Sequence, residues 1–183
     1  MKRVAIFGNA GGGKSALAKR LAEMTRLPLH TIDKIQFSPD DNKVPQKIPH
    51  ERFLREHADL LRRDKWIIDG FGSVASAWER FAQADTLLYI DLPLITHHWW
   101  VTKRLIAGLF VAPDGWPENS TVWSSSMSSY KVLWLCHYRP TPKYRQLVTE
   151  MAAIKRVHHL RSAADIAAFL NAVEREYTSV GAS

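Results

Sequence analysis

The residues with the clearest chemical capacity stand together in Gly8-Asn9-Ala10-Gly11-Gly12-Gly13-Lys14-Ser15. The run fits the pattern G-x-x-x-x-G-K-[ST], and it falls between a β-prone stretch and a helix-forming one, the setting in which such a loop cradles phosphates. Its glycines let the backbone turn tightly with N–H groups pointing inward, and no side chain blocks the space they face. The free N–H groups of the following helix add partial positive charge. Lys14 can then reach β- and γ-phosphates, while the Ser15 hydroxyl can serve Mg²⁺. A dinucleotide-binding loop is the rival reading, because Asp33 stands about 20 residues beyond the glycines. The G-x-G-x-x-G spacing is absent, however, and a lysine directly after the last glycine serves a terminal phosphate. All eight residues are therefore expected to bind nucleotide, with Lys14 also acting in catalysis.

Phosphoryl transfer needs one carboxylate to hold Mg²⁺ and another to orient or deprotonate the acceptor. Three aspartates end hydrophobic stretches that read as strands: Asp33, Asp69 in WIIDGF and Asp91 in LLYIDLP. Residues just beyond parallel strands gather around a phosphate loop. Asp69 is the expected metal-linked carboxylate, and Asp33 the expected catalytic one, since it opens a long loop where an acceptor can enter. Aspartates also cap turns and helices at strand ends, and for Asp91 that plainer role is the reading adopted.

The elements that must position these groups alternate along the chain. Strands are expected at Lys2–Phe7, Leu29–Ile32, Trp66–Ile68, Thr86–Ile90 and Ile154–Leu160. Helices are expected at Lys14–Arg26, Glu51–Arg63, Val74–Ala82 and Leu94–Phe110, from apolar residues at helical spacing. A further helix is expected up to Tyr138, one over Pro142–Ala153 with Thr141 as its N-cap, and one opened by a Ser162/Asp165 capping box. Three prolines argue for an irregular loop over Asp33–Pro49, and part of Val111–Ser129 is expected to be mobile. This alternation predicts a mainly parallel sheet covered on both faces. No linker or repeat divides the chain, so residues 1–183 read as a single domain.

Composition narrows the class. With 46% hydrophobic and 23% charged residues the chain is globular rather than disordered. The single cysteine, Cys136, permits no intramolecular disulfide, and its apolar run reads as a buried, inert setting. Only four apolar residues follow Met-Lys-Arg before Gly8, too few for a signal peptide, and no uncharged apolar stretch has the length of a membrane span. A soluble, cytoplasmic protein is expected. The net charge of +7 suits anionic partners: nucleotides, phosphorylated metabolites or nucleic acid. No recognised nucleic-acid module is present, so small anions are favoured.

At these residues the chain resembles the adenylate-kinase-like P-loop kinases and, within them, the bacterial topology modulation or adenylate-kinase-related proteins. The resemblance runs through GNAGGGKS, HTIDKI, WIIDG, ADTLLYIDLP, KRL and HLRSAADIAAFL, nearly the whole chain. It implies a three-layer α/β fold of the P-loop NTPase type, with a five-stranded parallel sheet in the order 2-3-1-4-5 and a helical lid over about residues 94–140. It implies ATP and Mg²⁺ as cofactors. It also implies that Arg104 lies against the base and phosphates of ATP, and that Arg139, with Arg145 beside it, reaches the transferring phosphate. Two departures count against AMP as acceptor. Gly72 and Ser73 stand where adenylate kinases follow this triplet with proline and arginine, and the second lid arginine is missing near Gly108.

Weaker groupings have plainer readings. Trp99, Trp100, Trp116, Trp123 and Trp134 crowd one third of the chain. They read as packing of lid helices, with base stacking or a dimer surface as alternative uses. His97-His98 and His158-His159 invite a zinc site, but adjacent side chains diverge and no cysteine is spaced to help. Arg52 and Arg55 read as a solvated helix face. The expected function is an ATP-dependent phosphotransferase acting on a nucleoside, nucleotide or hydroxylated metabolite. The alternative is a non-catalytic nucleotide switch or a nucleic-acid-associated protein.

Overall fold

The computed structural model describes residues 1–9, 11–39, 45–110 and 140–180. Its elements are β1 (Arg3–Gly8), α1 (Lys14–Thr25), β2 (Leu29–Thr31), α2 (Ile32–Gln36), β3 (Phe37–Pro39), β4 (Pro45–Lys47), α3 (His50–Leu61), β5 (Trp66–Asp69), α4 (Val74–Gln83), β6 (Thr86–Ile90), α5 (Leu94–Phe110), α6 (Pro140–Met151), β7 (Arg156–Leu160) and α7 (Ala163–Val180). Five strands form one parallel sheet in the order β2-β5-β1-β6-β7. Successive side chains of β1 point to opposite faces. Ala5 and Phe7 join Phe53, Leu60, Phe81, Tyr144 and Leu147 from α3, α4 and α6 in one core. Val4 and Ile6 join Leu17, Leu21, Phe169 and Val173 from α1 and α7 in the other. Each apolar strand is buried on both sides, which explains why β5 and β6 read as unbroken hydrophobic runs.

Several expectations are corrected. Asp33–Pro49 is not an irregular loop: it holds α2 and a small antiparallel hairpin, β3 against β4. The expected order 2-3-1-4-5 differs in numbering for the same reason, since the hairpin strands intervene between β2 and β5. Pro39 and Pro45 pair at the last position of β3 and the first of β4, next to the connection between the strands, where a missing N–H interrupts little pairing. The sixth helix begins at Pro140 rather than Pro142, and Thr141 lies inside it, buried, instead of capping it. Both prolines fall in the first helical turn, where an N–H would have no intrahelical partner. Ile154 is exposed in the turn before β7, which starts only at Arg156. Among the described residues no helix is long and apolar enough to cross a membrane.

Candidate active site

The phosphate loop starts where β1 meets β6. Gly8 pairs with Ile90 and has φ 141°, and a Cβ placed on it would lie 2.2 Å from the Ile90 carbonyl oxygen. Gly11 and Gly13 also have positive φ, 67° and 73°, so the loop turns twice through the region that favours glycine before α1 begins. The Lys14 ammonium donates to the Asn9 carbonyl oxygen at 2.8 Å and thus lies along the loop. Helix α5 packs onto the same backbone. A Cβ on Gly12 would meet the His97 ring at 3.0 Å, and one on Gly13 the Trp100 ring at 2.8 Å. His97 and Trp100 are three apart and share a helix face, the one signal by which this packing could be read from sequence.

Across from the loop, Asp69 is the last residue of β5, held between Ile6 of β1 and Thr31 of β2. The Ser15 hydroxyl donates to its Oδ2 at 2.7 Å. Asp69 is only 2% exposed, and its Oδ1 is buried with no hydrogen-bond partner among the described residues. Burial pushes its carboxyl above the ordinary range. The Ser15 hydrogen bond and the charges of Lys14 and Arg80 oppose that rise, and the charge of Asp33 adds to it. Asp33 lies two residues beyond Thr31, exposed in α2 at the same edge of the sheet. A hydroxyl and a carboxylate in contact, with one carboxylate oxygen unsatisfied, form a hard oxygen donor set that fits Mg²⁺.

Asp91 differs from its expected role as a simple cap. Its carboxylate is 7% exposed and accepts Nε and Nη2 of Arg145 at 2.8 and 3.0 Å. His159 Nε2 lies 2.9 Å from the same carboxylate. Burial alone would raise the Asp91 carboxyl, but hydrogen bonds and charge from Arg145 and His159 hold it below its usual range. The planar Arg145 fork matches the two carboxylate oxygens, so this guanidinium is engaged by β6 from α6. The sequence hid the pair because its members are far apart in the chain.

Arg104 falls within α5, with only its backbone described, while Ala10 and Arg139 lie outside the described residues, as do Cys136, Trp116, Trp123, Trp134 and the 111–139 part of the expected lid. Trp99 is exposed on α5 and Trp100 packs on the loop, so the two neighbours have different surroundings. Arg52 pairs with Glu56 at 2.8 Å on the exposed face of α3, and His158 packs on Phe169 while His159 faces Asp91. Sequence reasoning missed Arg80 and His57, both fully buried behind the turn that follows Asp69. For Arg80 a signal existed: it shares a helix face with Ser76, Ala77 and Phe81, all buried. A broad groove of about 1320 Å³ lies at the opposite, N-terminal edge of the strands, against Lys2, Asp85 and Lys155, away from this chemistry.

No protein-family model matches the sequence, and no curated protein matches it. Solved structures do match. Shikimate kinase from Acinetobacter baumannii, in complex with shikimate, has a TM-score of 0.55 over 98% of this chain and 94% of its own, at 15% identity. Shikimate kinase from Bacteroides thetaiotaomicron has a TM-score of 0.53 over 95% and 97%, at 12% identity. At such identities the likeness shows the fold alone, and that fold is the one shared by these P-loop kinases.

Proposed function

We propose that the chain is a P-loop kinase that transfers the γ-phosphoryl group of ATP to a hydroxyl of a small acceptor, a nucleoside, nucleotide or hydroxylated metabolite. The observation that carries this reading is the 2.7 Å contact of Ser15 Oγ with Asp69 Oδ2 at the mouth of the loop. Loop amides from Gly11 to Ser15 bind the phosphates, and Lys14 leaves the Asn9 carbonyl to neutralise them. Ser15 and Asp69 hold Mg²⁺, which when bound offsets charge on the phosphate oxygens. Asp33, exposed in α2 just beyond β2, orients the acceptor hydroxyl and accepts its proton. Arg104 lies against the nucleotide, and Arg139 meets the charge that develops on the transferring group. By the sequence resemblance the chain stands beside the topology modulation proteins, as a cytoplasmic single-domain kinase. AMP is disfavoured as acceptor: Gly72 has φ 75°, a conformation closed to the proline that adenylate kinases carry there.

Calorimetric titration with ATP, with and without Mg²⁺, tests the reading. Ser15→Ala is expected to weaken Mg²⁺-ATP about tenfold, the loss of one charge-assisted contact, and to leave metal-free ATP unchanged. Equal weakening of both, or no ATP binding by the unaltered protein, would refute it.

A further inference from the structure

We propose that Arg80 is a positioning residue for the metal-holding carboxylate: from beneath the sheet edge it clamps the two carbonyls that follow Asp69 and so sets where that side chain stands. The inference rests on the reading of Asp69 as the Mg²⁺ carboxylate. Arg80 projects from α4 and is 0% exposed. Its Nη2 donates to the Gly70 carbonyl oxygen at 2.7 Å and to that of Phe71 at 3.2 Å. Nη1 lies 3.5 Å from His57 Nε2, and the guanidinium carbon sits 5.6 Å from the Phe81 ring centroid. No carboxylate forms an ion pair with it among the described residues.

A buried cation without a paired carboxylate is a poor stabilising device, because the desolvation cost is not recovered by a Coulombic partner. Its Nη2 goes instead to one short stretch of backbone and Nη1 faces His57, while Nε is buried with no hydrogen-bond partner among the described residues. Two carbonyls drawn to one nitrogen fix the orientation of two successive peptide planes, those of Gly70–Phe71 and Phe71–Gly72, one residue beyond the aspartate whose carboxylate faces Ser15.

The glycines of the turn are equally constrained. Gly70 has φ 113°, and a Cβ on it would fall 2.9 Å from Ile32 Cβ; one on Gly72 would fall 2.9 Å from Phe53 Cζ. The turn is therefore packed against Ile32 and Phe53 as well as held by Arg80. Ile32 directly precedes Asp33, so the same clamp sets the spacing of the two carboxylates. His57 completes the support. Burial, followed by the Arg80 charge, lowers its pKa to about 4, so at neutral pH the ring is uncharged and its Nε2 can accept from Arg80. Its Nδ1 then carries the hydrogen and faces Glu79 Oε2 at 3.6 Å.

The test compares ATP affinities with and without Mg²⁺, by calorimetry, for the unaltered protein, Arg80→Met, Arg80→Lys and Asp69→Asn. Arg80→Met keeps the length of the side chain but no donor. It is expected to bind metal-free ATP normally while losing about tenfold or more of the Mg²⁺ enhancement, the usual effect of removing a group that orients a metal ligand. Arg80→Lys keeps the charge and is expected to fall between, and it carries the test alone should Arg80→Met not fold. A role confined to stability would lower the melting temperature and leave the Mg²⁺ enhancement at its original value. That result, alongside a loss in Asp69→Asn, overturns the clamp and leaves the kinase reading standing. An unchanged enhancement in Asp69→Asn overturns the metal reading itself.

Discussion

Lys14→Ala is expected to abolish measurable ATP binding while the protein stays folded. The ammonium now donates to the Asn9 carbonyl at 2.8 Å. That contact is made to the loop's own backbone. Toward a triphosphate the same group makes charge-assisted contacts to two phosphates at the end of a glycine-lined turn. Each such contact is worth about 1.5–3 kcal/mol, so losing both weakens binding by about two to four orders of magnitude. The measurement is calorimetry on a variant whose melting temperature lies close to that of the unaltered protein. Unchanged affinity in that folded variant would contradict the assignment of the loop.

Gly8→Ala is expected to cause the largest loss of stability, and for a different reason. A methyl group there would sit 2.2 Å from the carbonyl oxygen of Ile90 and 3.1 Å from its carbonyl carbon. Both belong to β6, which is paired with β1 in the middle of the sheet, so neither strand can withdraw. The residue must also keep φ near 141°, which an alanine resists. Strain of this kind costs about 1–3 kcal/mol, and forced overpacking costs about 1–3 kcal/mol more. A total of about 4 kcal/mol lowers the melting temperature by about 8–16 °C in a domain of this size. Thermal unfolding followed by circular dichroism reads it directly, and a melting temperature within about 2 °C of the original contradicts the close approach of the two strands.

Much of the framework was legible in the sequence because it depends on local patterns. The glycines of the loop stand where positive φ and close strand contact need them, at Gly8, Gly11 and Gly13. The apolar run from Thr86 to Ile90 is buried throughout, as a central parallel strand is. Asp69 and Asp33 come to one edge because parallel strands deliver their ends together, and the charge of Asp33 reaches Asp69. What the pattern did not reveal depends on contacts between distant segments. The hairpin of β3 and β4 was hidden by prolines that a strand tolerates only at its ends. Arg80 binds carbonyls nine and ten residues earlier in the chain, and nothing local marks a charged residue on an apolar face as a clamp. Asp91 and Arg145 are separated by 54 positions, so their ion pair becomes visible only when α6 lies against β6.

Transfer of a phosphoryl group from ATP to a small molecule, as proposed, is put to the test by one labelling experiment. The protein is incubated with Mg²⁺ and ATP carrying ¹⁸O in its γ-phosphoryl group, together with a small-molecule extract freed of macromolecules, and new phosphate esters are sought by mass spectrometry. A labelled phosphate ester is expected with the unaltered protein and none with Lys14→Ala. Labelled inorganic phosphate alone, or the same products from both proteins, would contradict it.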